Sequence, residues 1–137
     1  MHDMIALVAA AVVIAAVWLA MRRGRVAPRD AQRLVADGAQ LLDVRTAQEF
    51  EDGHLPGARN LPLHDVRQDP LQAGALDRPQ VIYCRSGARS AMAARRMRNA
   101  GFVHVFDLGP MAAWPVTPAA ASIDGEGLDQ SKLGDID

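Results

Sequence analysis

From Met4 to Met21 the chain runs through 18 consecutive apolar residues, nearly all Ala, Val, Leu or Ile. As a helix rising about 1.5 Å per residue, such a run is about 27 Å long, close to the roughly 30 Å of a bilayer's hydrocarbon core. Its flanks differ. His2 and Asp3 precede it, whereas Arg22, Arg23 and Arg25 come after it. A cleavable signal peptide carries positive charge ahead of its apolar run and a small-x-small site behind it. Here the charge comes after, and the residue two before Ala20 is the bulky Trp18. The positive-inside rule places the arginine end in the cytoplasm. The sequence therefore predicts a retained transmembrane helix, single-pass in the inner (cytoplasmic) membrane, with the N-terminus outside. Trp18 suits the interface at the arginine end. A cleaved signal and a buried helix are the weaker alternatives.

Residues 1–25 thus read as an anchor with a basic flank. The few residues between Arg22 and Pro28 reach about 20 Å when extended, which keeps the rest of the chain close to the membrane. Residues 118–137 form an acidic end, with Asp124, Glu126, Asp129, Asp135 and Asp137 against Lys132 alone. No aromatic residue lies in it, so it reads as a disordered tail. The net charge of -1 averages these unlike regions and argues against a nucleic-acid partner. Setting residues 1–21 aside brings the remainder to about 42% hydrophobic, ordinary for a soluble domain. One cysteine excludes an internal disulfide and any multi-cysteine metal site.

Between these ends, over residues 26–117, helix-like and strand-like segments alternate, the pattern of an α/β fold with a parallel sheet. Pro28 opens a helix with Ala31, Leu34 and Val35 on one face, and Gly38 closes it. Leu41–Val44 reads as a buried strand. Thr46 and Glu49 have the spacing of a capping box, in which each satisfies the other's backbone amide. Phe50 falls on that helix's inner face. Further strands are expected at Ala58–Leu61, Val81–Tyr83 and Val103–Leu108. A helix over about Gly87–Ala100 carries Met92 and Met97 as core residues and ends at Gly101, with Phe102 closing the cap.

The only cysteine, Cys84, stands directly after the most apolar strand and opens Cys84-Arg85-Ser86-Gly87-Ala88-Arg89-Ser90, which runs into that helix. In open α/β sheets ligands bind at the carboxyl ends of strands. A tight loop of small residues points backbone N–H groups inward, and the helix adds its positive end. Such a nest lowers a thiol's pKa and holds an anion on the sulfur. Arg85 and Arg89 add charge at the rim. A free cysteine is otherwise a small buried hydrophobe, but two arginines, two serines and a glycine before a helix favour chemistry.

This loop is similar to the active-site loop of rhodanese-like sulfurtransferases. Leu42-Asp43-Val44-Arg45, Glu49-Phe50 and Gly53-His54-Leu55-Pro56-Gly57-Ala58-Arg59-Asn60 resemble the family's N-terminal signature. Gly101-Phe102, Val105–Leu108 and Trp114 resemble its closing strand and helix. The likeness spans residues 26–117 and implies a rhodanese-like parallel sheet flanked by helices. It implies that Cys84 takes a sulfane sulfur from a donor such as thiosulfate as a persulfide. Arg85, Ser86, Gly87, Ala88, Arg89 and Ser90 would form the substrate-binding loop, their amides holding the terminal sulfur's charge. No second cysteine exists to resolve the persulfide, so an external thiol or cyanide must accept it. No metal and no organic cofactor is required. Where the family has a glycine pair, this chain has Gly109-Pro110. Proline cannot take positive φ, which implies a differently shaped turn.

Cysteine phosphatases and arsenate reductases use a related loop with five residues between cysteine and arginine. Four lie between Cys84 and Arg89, a smaller cradle suited to one sulfur. Asp43 and Arg45 are expected to fix geometry as a buried pair, and His54 to pin its turn. His2, His64 and His104 share no metal-ligand spacing. Arg95, Arg96 and Arg98 read as a solvated helix face that lies beside anionic lipid if the anchor holds. The alternative function is a membrane-tethered interaction module of the same fold, with little catalysis and a membrane-protein partner.

Overall fold

The structure, a computed structural model, describes residues 1–22 and 24–116; the acidic tail at 118–137 lies outside the described residues. The apolar run is helical, as α1 (His2–Arg22). The stretch Met4–Val17, whose large apolar side chains are exposed, covers about 21 Å as a helix. Among the described residues no helix is long and apolar enough to cross a membrane. The expected transmembrane helix is thus met here only as a helix.

The remaining elements are α2 (Pro28–Ala36), β1 (Gln40–Asp43), α3 (Ala47–Asp52), β2 (Arg59–Asn60), α4 (Leu63–Gln68), β3 (Gln80–Cys84), α5 (Ala88–Asn99) and β4 (Val105–Pro110), with short 3-10 turns at Pro70–Ala73 and Met111–Ala113. The strands form one parallel sheet in the order β2-β1-β3-β4. Parallel strands are covered on both faces, and their alternation divides the core. Leu42, Ile82 and Cys84 point into one layer with Val66, Ala93, Ala94 and Met97 from α4 and α5. Leu41, Val81 and Tyr83 point into the other, against Ala31 of α2, with Trp114 packed alongside.

Several expected details shift. The last strand begins at Val105 rather than Val103, which is exposed, and runs on through Gly109 and Pro110. Pro110 is extended (φ -72°, ψ 139°) and pairs opposite Cys84. The special conformation falls on Gly109 instead, at φ +85°, where the register slips by one residue between Ile82 and Tyr83. That is a bulge, for which glycine is suited. Met92 is exposed rather than in the core, because α5 turns Ala93, Ala94 and Met97 inward. Phe50 is only half-buried and stacks on His54. The end of α5 is as expected: Gly101 has φ +103°, and Phe102 N–H donates to Met97 O in a Schellman cap.

Candidate active site

Cys84 is the last residue of β3, wholly buried, and its chain turns at once into α5. Gly87 makes that turn. Its φ of +97° is left-handed, a conformation a side chain disfavours, and its N–H donates to Cys84 Sγ at 3.0 Å. Ser90, buried in the first turn of α5, donates from Oγ to Gly87 O at 3.1 Å. Its hydroxyl therefore braces the loop from inside, although the sequence places Ser90 among the substrate-binding residues. Arg85, Ser86 and Ala88 are exposed at the mouth.

Arg89 does not stand free at the rim. Its Nη1 and Nη2 donate to Glu49 Oε1 and Oε2 at 2.7 and 2.9 Å, a bidentate pair between α5 and α3. At the capping box expected here, Glu49 N–H donates to Thr46 Oγ1 at 3.2 Å. Its carboxylate takes the guanidinium and, at 3.3 Å, the Thr46 hydroxyl, and the Thr46 backbone helps to hold it ionised. Arg89 holds the Glu49 carboxyl down from an ordinary 4.5 to about 2. A depressed carboxyl contributes stability that is present above about pH 4.5 and is lost as pH falls toward 2. Glu49→Gln should therefore melt below the wild type at pH 6, and the gap should narrow as pH falls across that window. Thermal melts at stepped pH read this; a gap independent of pH sinks it.

Asp43 and Arg45 form the expected buried pair. Arg45 Nη2 lies 2.7 Å from Asp43 Oδ2, its Nε donates to both carboxylate oxygens, and its backbone N–H donates to Oδ1. The same Nη2 donates to Gly53 O at 2.6 Å, and the guanidinium lies over the Tyr83 ring. Leu55 N–H in turn donates to the Tyr83 hydroxyl, and burial pushes that phenol's pKa up. The pair thus ties the 53–57 turn to the residue before Cys84. His54 is exposed, with Nδ1 2.8 Å from Phe50 O. It pins the exit of α3.

Nothing in the sequence singles out Asp107. This carboxylate is buried at the bulge, accepts from Gly109 N–H at 2.9 Å, and is pushed up in pKa by burial against the opposing pull of Ser90 and Gly109. Among the described residues no group of acidic, histidine or cysteine side chains has metal-binding geometry.

A buried thiol on the carboxyl end of a central parallel strand, with a loop amide on its sulfur, matches what the family resemblance implies. Residues 27–114 match the family of the Rhodanese-like domain. The chain belongs to the rhodanese-like family. Over 103 residues it is 37% identical to "Thiosulfate sulfurtransferase GlpE" of Pseudomonas aeruginosa, covering 74% of this chain and 93% of that protein. It is 40% identical over 77 residues to "Uncharacterized protein YqhL" of Bacillus subtilis, of which the match covers 60%, and 56% of this chain. The solved structure "Human Single Domain Sulfurtranferase TSTD1" superposes with a TM-score of 0.59 at 26% identity, over 66% of this chain and 94% of that one. As a rhodanese-like protein the chain is a sulfurtransferase.

Proposed function

We propose that this rhodanese-like domain moves a sulfane sulfur from thiosulfate, through a persulfide on Cys84, to a thiol or cyanide acceptor at a membrane surface. The Cys84 thiolate attacks the outer sulfur of thiosulfate, the donor's S–S bond breaks, and sulfite leaves with its electron pair. An external thiolate or cyanide then takes the outer sulfur, and Cys84 returns as thiolate. The chain has no second thiol to do this. The observation that carries the reading is the Gly87 N–H aimed at Sγ from a left-handed turn at the start of α5. A dipole fixed there stabilises negative sulfur without reorganising. Arg85, Ser86 and Ala88 at the mouth are where the donor would bind, with Arg85 meeting its charge.

The membrane placement rests on the uninterrupted apolar run Met4–Met21, the arginines behind it and the exposed apolar side chains of α1. It puts the N-terminus outside the inner membrane and the sulfurtransferase domain on the cytoplasmic side, with residues 118–137 as an acidic extension. Membranes holding the full chain, treated with thiosulfate, should yield a Cys84 peptide heavier by one sulfur in mass spectrometry. A Cys84 that never gains sulfur overturns the transfer. A chain found wholly in the soluble fraction overturns the anchor, and a reporter fused at Asp137 that is active only outside the cytoplasm overturns the orientation.

A further inference from the structure

The loop that carries Cys84 is braced from behind by a residue that lies before the rhodanese-like match. Val26 N–H donates to Asp107 O at 2.9 Å and Asp107 N–H to Gly24 O at 3.4 Å, so residues 24–26 run along the outer edge of β4, bridged in parallel at Arg25 and Asp107. The Arg25 side chain lies over two glycines. A Cβ at Gly87 would stand 2.5 Å from Arg25 Nη2, and one at Gly109 would stand 3.1 Å from Cζ and 3.2 Å from Nε. Both glycines are buried and both have positive φ. The guanidinium plane thus occupies the space where two side chains would otherwise be, against the backs of the sulfur loop and of the β4 bulge.

We propose that Arg25 is a positioning residue for Cys84: by packing on Gly87 it fixes the peptide whose N–H meets Sγ. A cation at a helix N-terminus opposes the helix dipole, so this placement costs the helix and favours an anion on the loop. Because α1 ends at Arg22, the plate sits three residues from the apolar helix and joins that segment to the active-site loop.

The charged groups around Cys84 come from every side. Arg85 lies in the loop, and Arg89 of α5 is neutralised by Glu49 of α3. Arg45 is neutralised by Asp43 beyond β1. Asp107 of β4 has the Arg25 and Arg98 charges near it, and Arg98 also donates to Val105 O. Removing Arg25 leaves the Arg89–Glu49 and Arg45–Asp43 pairs intact.

The consequence for sulfur transfer rests on the persulfide reading of Cys84, but the test does not. In the full-length chain, with no donor present, the rate of Cys84 alkylation at fixed pH reports the reactivity of the sulfur directly, since no other cysteine reacts. Arg25→Met should slow alkylation, and the reaction with thiosulfate, about three- to tenfold. Arg25→Lys, which keeps the charge without the plane, should restore only part of either rate. Melting temperatures should stay within a few degrees, whereas a merely structural brace would lower them and leave the alkylation rate alone. An unchanged alkylation rate in Arg25→Met overturns the proposal, and Arg25→Gln supplies the same reading should the methionine variant not fold. If the wild type takes no sulfur but alkylation still slows in the variant, the proposed function fails and the role of Arg25 stands.

Discussion

Cys84→Ser should reduce sulfur transfer from thiosulfate to cyanide to background, a loss of at least about a thousandfold of the kind seen when a covalent nucleophile is removed. A hydroxyl is not ionised in the working pH range, and an oxygen cannot form the persulfide. No other cysteine can take over, because the chain has none. The fold should survive the change. Serine is close to cysteine in size, and the Gly87 N–H that now meets Sγ at 3.0 Å can donate to the new oxygen instead. The cost comes from turning a hydroxyl into the layer that holds Leu42, Ile82 and Met97, about 1–3 kcal/mol if its proton finds no acceptor. Purified full-length variant and wild type would be compared in a thiocyanate assay, with thermal melting as the control for folding. Transfer within tenfold of wild type, in a folded variant, removes Cys84 from the reaction.

How much of the molecule is legible in its sequence divides by range. The Cys84 loop is legible because its chemistry is local: an apolar strand, seven residues of small and basic character, then a helix. The Schellman cap at Gly101 and Phe102 is legible for the same reason. The helix α4 at Leu63–Gln68 is not, since six residues containing His64, Asp65, Arg67 and Gln68 between Pro62 and Pro70 carry too little periodicity to register. The pairing of Glu49 with Arg89 joins positions forty apart. Nothing near Thr46 distinguishes a glutamate that caps its own helix from one that reaches across to α5. Arg25 is hidden more deeply. In the sequence it is one of three arginines behind an apolar run, with an obvious role at a membrane. Only the edge pairing of residues 24–26 with β4 brings it onto Gly87 and Gly109.

Asp43→Ala should be the most destabilising single change in the domain. The carboxylate is fully buried and accepts four hydrogen bonds from Arg45: two from Nε, one from Nη2 and one from the backbone N–H. Those bonds hold the guanidinium firmly charged. With alanine at 43, Arg45 keeps the Gly53 carbonyl and the Tyr83 side chain but no carboxylate, and its charge stays in a site 5% exposed. Breaking a buried pair from one side costs about 3–5 kcal/mol, because the remaining charge is uncompensated. A domain of this size has about 5–15 kcal/mol in total and loses roughly 4–8 °C of Tm per kcal/mol. The variant should therefore melt at least about 12 °C below wild type. Removing both charges tests the mechanism. In Asp43→Ala with Arg45→Met the buried cation is gone, so the double variant should melt above Asp43→Ala alone, as a double-mutant cycle would show. If instead the two losses simply add, the uncompensated charge is not the cause, and the cost lies in the 53–57 turn that Arg45 holds against Tyr83.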